Sequence, residues 1–319
     1  VRLLVLGGTV FLGRAVIDAA LARGHDVTIF NRGTHPAPDG VAVLHGDRAS
    51  GDLRALETGD WDSVVDTSGY VPRIVGASAA LLAPRIAHYC FVSSLSVYAP
   101  GPPPIDESAA VATLSDPAVE DIGEGRYGAL KALSEVAADA ATGGRSLAVR
   151  SGLIVGPHDP TGRFTYWPHR FARGGDVLVF DRPERQTQFI DVRDLALWIV
   201  SACEAGVTGP VNVTGTHTMG EVVEACLAQA PAGTRPVWVP EDLLVAHEVG
   251  EWMELPLWIA PSSPEATVLA AADYGRASAT GLTLRPLGET VRATLEAAIP
   301  VEGVGLTADR ERELLRAGR

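Results

Sequence analysis

The first half of the chain alternates short runs rich in Val, Ile and Leu with longer segments whose apolar residues recur every three or four positions. The runs Leu3–Leu6, Val27–Phe30, Val41–Leu44, Ser63–Asp66, Tyr89–Val92 and Leu147–Val149 are too short for helices and apolar on both faces. They read as strands covered on two sides. The segments Phe11–Ala22, Leu53–Glu57, Pro72–Leu82 and Arg126–Ala140 read as helices between them. This alternation predicts an α/β fold, a doubly wound parallel sheet with crossover helices.

After about residue 155 the pattern loosens. Strand-like and helix-like pieces recur at Thr187–Ile190, Asp191–Cys203 and Val211–Val213, followed by Met219–Gln229 and a Pro-rich, Trp-bearing tail. The expected division is a first domain of residues 1–155 plus roughly 187–213. Residues 156–186 and 214–319 would form a smaller C-terminal substrate lobe over the carboxyl ends of the strands, where such sheets bind ligands. No repeat at solenoid spacing and no low-complexity tract interrupts this plan.

Composition narrows the field. At 319 residues and 46% hydrophobic content the chain can bury a sizeable core. A formal net charge of −13 opposes a phosphate backbone, so nucleic acid is not expected as a partner. Cys90, Cys203 and Cys226 are too few and too scattered for a disulfide framework or a metal site, and read as core thiols of a reducing compartment. No secretory h-region and no apolar stretch of roughly 20 residues is visible. A soluble, cytoplasmic protein without metal or membrane partner is the expectation.

Directly after the first strand stands Gly7-Gly8-Thr9-Val10-Phe11-Leu12-Gly13, leading into a helix rich in alanine. Strand, glycine turn and helix N-terminus together offer backbone N–H groups and a positive dipole end to a pyrophosphate. With this turn the sheet reads as a Rossmann, dinucleotide-binding one. Val10 occupies the middle of the turn, where glycine would let the backbone come close to phosphate. Its side chain must point away or push the phosphates outward. The second strand runs into Asn31-Arg32 rather than the Asp or Glu that binds the ribose hydroxyls of NAD. A guanidinium suits the 2′-phosphate of NADP, so NADP(H) is favoured and NAD(H) is the alternative. Asp47, after the third strand, stands where a carboxylate could accept from the adenine amino group.

Lys131 is the only lysine in the chain, and it lies four residues after Tyr127. On a helix the two share a face, and the ammonium would favour the phenolate of a proton-transfer catalyst. The fifth strand runs into Ser93-Ser94-Leu95-Ser96-Val97-Tyr98. Ser94 is placed to hydrogen-bond a reacting carbonyl.

Taken with Arg150 through Gly156-Pro157 and with Phe189-Ile190-Asp191-Val192-Arg193-Asp194-Leu195-Ala196, these pieces follow one order. In that order the chain resembles the extended short-chain dehydrogenases/reductases, the NAD-dependent epimerase/dehydratase superfamily, over nearly its whole length. Val10 resembles a divergent branch of it written GGTxFLG. The resemblance implies Tyr127 as general acid/base, Lys131 as its pKa modulator and ribose ligand, Ser94 as the carbonyl-orienting hydroxyl, and a homodimer. Leu95-Ser96 replaces the Asp-Glu pair of the dehydratases. Leu153 and Thr187 replace an Asn and an Arg that touch the diphosphate in sugar-nucleotide epimerases. Arg163, Arg170, Arg182 or Arg185 could compensate.

An NADPH-dependent reductase of a small carbonyl or imine compound is therefore the leading expectation. An epimerase of a sugar or sugar nucleotide is the alternative, and a non-catalytic dinucleotide sensor the reading from another class. Arg163 pairing an anionic group and Trp167 stacking on a ring are candidate substrate contacts, set against aromatic packing inside the second lobe.

Overall fold

The computed structural model describes every residue except 124, 264, 265, 267–269 and 319. Two compact units emerge. The first comprises residues 1–152, 192–214 and 271–283; the second comprises 153–191, 215–270 and 284–319.

The first unit is built on seven parallel strands: β1 (Arg2–Leu6), β2 (Asp26–Asn31), β3 (Ala42–His45), β4 (Ser63–Asp66), β5 (His88–Val92), β6 (Ser146–Ser151) and β10 (Gly209–Val213). Their order across the sheet is β10-β6-β5-β4-β1-β2-β3. The chain works outward from β1 to β3, returns to β4 beside β1, and continues the other way. The switch point is the β1/β4 boundary, the usual ligand crevice of an open α/β sheet. Strands β4, β5 and β6 are buried at every position, which accounts for their continuous apolar runs. Edge strand β3 is largely exposed.

Crossovers are made by α1 (Phe11–Ala22), α2 (Pro72–Leu82), α3 (Tyr127–Thr142) and α5 (Val192–Ala205). Helix α2 opens on Pro72 after an extended Val71, a position where the missing N–H costs nothing. Helix α3 stops at Gly143, whose φ of 63° is left-handed.

Two expectations are corrected here. Leu53–Glu57 forms only a 3-10 turn at Arg54–Leu56. The strand expected at 187–190 does not join the first domain. As β9 (Gln186–Asp191) it pairs parallel with β7 (Leu153–Val155) and antiparallel with β11 (Gly215–Thr218), inside the second unit. Burial explains its place: Phe189 lies 4.9 Å from Phe164, centroid to centroid, in an aromatic core with Val155 and Phe180. The seventh strand of the large sheet is β10.

Residues 271–283, expected in the second lobe, return to the first unit. Asp273 N donates to Ile105 O at 2.8 Å, Asn212 Nδ2 donates to Asp273 O at 2.9 Å, and Arg276 caps the Thr208 and Pro210 carbonyls. The second unit also holds α4 (Tyr166–Ala172), α6 (Met219–Leu227) and the parallel pair β8 (Asp176–Phe180) with β12 (Arg235–Val239).

Candidate active site

At the end of β1 the backbone turns through Gly7 and Gly8, with φ of 103° and 93°. Such angles are open to glycine and strained for other residues. Gly13 is needed for another reason: a Cβ there would stand 2.7 Å from Gly8 Cα. Turn and helix are thus pressed together. Its first turn carries no acidic side chain. Val10 is extended and 52% exposed, so its side chain stands in solvent and leaves the turn unobstructed. Thr9 and Phe11 are half-buried, and Leu12 packs into the core. The cradle fits a pyrophosphate.

Beyond β2, Asn31 Oδ1 accepts from Gly33 N at 2.8 Å and holds that turn. Arg32 is exposed, and among the described residues it has no hydrogen-bond or ion-pair partner. Asp47 is half-buried and shapes its own loop, accepting from Ala49 N through Oδ1 at 3.0 Å and exchanging backbone bonds with Asp52.

Tyr127 is the first residue of α3, 37% exposed, and Lys131 lies one turn further in, 4% exposed. Lys131 Nζ donates to Gly69 O, in the loop leaving β4, at 2.7 Å and to Val92 O, at the end of β5, at 2.6 Å. It also stands over the Phe91 ring, 4.3 Å from the centroid. Burial pushes the ammonium down to about 8, against the opposing pull of Asp66 and Glu135. Ser94 caps a 3-10 turn at Leu95–Val97, its Oγ accepting from Ser96 N at 3.1 Å and keeping its own proton to donate. Gly128 lets helix α3 rest on that turn, since a Cβ there would fall 1.9 Å from Ser96 O. The glycine turn belongs to the same cluster: a Cβ on Gly7 would come 2.8 Å from Thr67 Oγ1 and 3.3 Å from Ser68 Cβ, two and one residues before Gly69.

Two buried networks support this cluster, and neither was anticipated from the sequence. Arg48 makes a two-pronged ion pair with the fully buried Asp66, both bonds 2.6 Å, and Tyr89 and Ser78 complete it. The guanidinium holds the Asp66 carboxyl below the usual carboxylate range despite burial, which acts the other way. Glu135, one turn beyond Lys131, accepts from Ser93 Oγ at 2.5 Å and from Arg150 Nη2 at 2.8 Å. Arg150 donates on to Tyr98 OH, which donates to Asn212 Oδ1 at 2.6 Å. The only advance signal was the spacing of Lys131 and Glu135 on one helix face.

In the second unit, Trp167 is fully buried, donates to Pro256 O at 3.1 Å and packs edge-on to Tyr166 and Phe180. It is a core residue and not the expected ring-stacking contact. Its apolar surface is taken up by its own unit. Arg163 is half-buried with its guanidinium 5.3 Å from the Trp252 ring. Arg170 is closed into a buried pair with Glu311. Cys90, Cys203 and Cys226 are buried free thiols. Among the described residues no group of three or more His, Cys, Asp and Glu could hold a metal, and no helix is long and apolar enough to cross a membrane.

Residues 73–214 match the model of the NAD dependent epimerase/dehydratase family. No curated protein sequence matches significantly. Among solved structures, the chain resembles the UDP-glucose 4-epimerase of Thermus thermophilus, a complex with NAD, at TM-score 0.62 and 18% identity over 94% of this chain and 100% of that one. It resembles the Thermotoga maritima UDP-glucose 4-epimerase with UDP-glucose at TM-score 0.64 and 15% identity, covering 93% and 99%. The Bordetella bronchiseptica enzyme WbmH, in complex with NAD+, gives 0.65 and 16%, covering 92% and 97%. At such identities the likeness is one of fold. The family match covers residues 73–214, and the solved structures share the fold of nearly the whole chain.

Proposed function

We propose that the chain is a nicotinamide-dinucleotide-dependent epimerase acting on a sugar or sugar nucleotide, with Tyr127, Lys131 and Ser94 as its reacting centre. The observation that carries this reading is the tie from the glycine turn through Thr67–Gly69 to Lys131, which supports a dinucleotide bound beside the phenol–lysine pair. The family match and the fold of the neighbours favour epimerisation over the reduction of a small carbonyl compound.

A dinucleotide held on the Gly7–Gly13 turn would supply reversible hydride exchange with the substrate carbon. Tyr127 would take the proton of the carbinol oxygen as that carbon is oxidised, and give it back to the carbonyl oxygen when the carbon is reduced from the other face. Lys131 supplies the nearby positive charge, and Ser94 Oγ donates to the same oxygen. Atoms and electrons return to their starting count, so no cofactor is consumed.

Incubation with an equimolar dinucleotide and candidate sugar nucleotides should yield the epimer with no net change in absorbance at the reduced-nicotinamide band. Tyr127→Phe should abolish turnover and leave cofactor affinity nearly intact. Steady consumption of the reduced cofactor by a simple carbonyl substrate would instead establish the reductase.

NAD(H) is the cofactor suggested by the neighbours' bound ligands. Arg32, without a hydrogen-bond or ion-pair partner among the described residues, and neutral Asn31 support NADP(H) as a second reading. A preference for NADPH of about tenfold or more, lost in Arg32→Ala, would decide for the second. We further propose that the first unit is the dinucleotide-binding domain, that Asp47 approaches the adenine, that Arg163 pairs an anionic group of the substrate, and that the enzyme is a cytoplasmic homodimer.

A further inference from the structure

The loop leaving β4 ends in an aromatic residue to which nothing above gives a task. Tyr70 is 44% exposed. Its neighbour Gly69 gives its carbonyl to Lys131 Nζ, and the same ammonium stands 5.1 Å from the centroid of the Tyr70 ring. The Tyr127 ring lies 6.4 Å away, centroid to centroid, tilted by 44°. Three residues back, Thr67 meets the glycine turn. One exposed ring is thus fixed between the pyrophosphate cradle and the phenol–lysine pair, anchored by a cation that cannot leave its two carbonyls without cost. An exposed aromatic face held in this way is suited to packing against a flat ring.

The order of the strands selects which ring. Asn31 ends β2 and Arg32 follows it, Asp47 follows β3, and both strands lie on one side of β1; Tyr70 follows β4, on the other. A dinucleotide whose pyrophosphate rests on Gly7–Gly13 and whose adenosine lies toward β2 and β3 reaches β4 only with its other half.

We propose that Tyr70 is a cofactor-positioning residue whose ring packs against the nicotinamide-ribose half of the bound dinucleotide. The proposal rests on the dinucleotide reading of the site. The test is calorimetric titration of the full chain with NADH and with ADP-ribose, which keeps the adenosine and pyrophosphate and lacks the nicotinamide. NADPH and 2′-phospho-ADP-ribose serve if the wild type prefers them. In Tyr70→Ala, NADH should bind about two- to tenfold more weakly while ADP-ribose is unchanged, and Tyr70→Phe should match the wild type with both. Equal losses for the two ligands, no loss for either, or a Phe variant as weak as the Ala one would overturn the role of the ring. Wild-type protein that binds neither ligand would overturn the cofactor reading itself, an outcome visible before any variant is made.

Discussion

Lys131 shows most clearly what a residue type in a given place costs. Its ammonium is buried against two carbonyls and a ring face, and its folded pKa is lowered from 10.5 to about 8. Below pH 8 folded and unfolded chains both hold the proton. Between about 8 and 10.5 only the unfolded chain still binds it, so raising the pH favours the folded form. The stability of wild type relative to Lys131→Met should therefore rise by up to about 3 kcal/mol across that window, a difference measurable by urea unfolding at pH 7.5 and pH 10. A flat difference would mean that the site admits water. The tyrosine–lysine spacing was readable from the sequence because a helix repeats every 3.6 residues. The depth of the lysine was not, because the carbonyls that surround it belong to Gly69 and Val92, far away along the chain. Val10 is the converse case: an apparent defect in the glycine turn becomes harmless once its backbone is known to be extended and its side chain to face solvent.

Helix α3 carries Tyr127 and Lys131, and its setting depends on residues outside that pair. Glu135 ties it to Ser93 on one side and to Arg150 of β6 on the other. Side-chain exposures of 7% for Arg150 and 11% for Glu135 make this a buried pair. Removing one member leaves the other charge uncompensated, which typically costs about 3–5 kcal/mol. Glu135→Ala should lose stability on that scale, read from the urea midpoint, and Glu135→Gln less, because its amide still meets Ser93. Loss below about 1 kcal/mol in the Ala variant would show that solvent reaches Arg150. Helix and strand types in this half were legible from periodicity. The network was not, since it joins β5, α3, β6 and β10 through side chains whose partners only the sheet order brings together.

Across the molecule, the sequence pattern told strands from helices better than it told which strand joins which sheet. The run at 187–190 has the same apolar character as the strands of the large sheet, yet Phe189 finds its neighbours in the aromatic core of the second unit. Trp167 belongs to that core. Trp167→Ala should cost about 3–5 kcal/mol of stability, read by chemical denaturation, where an exposed ligand-stacking ring would cost little.

The solitary lysine has a practical corollary. A protease that cleaves only after lysine has one target in the 319 residues, and that target is sealed inside the first unit at 4% exposure. Cutting can proceed only as fast as the helix lifts off its two carbonyls, so appearance of the two fragments is a clock for the opening of helix α3. A bound dinucleotide would be expected to slow that clock.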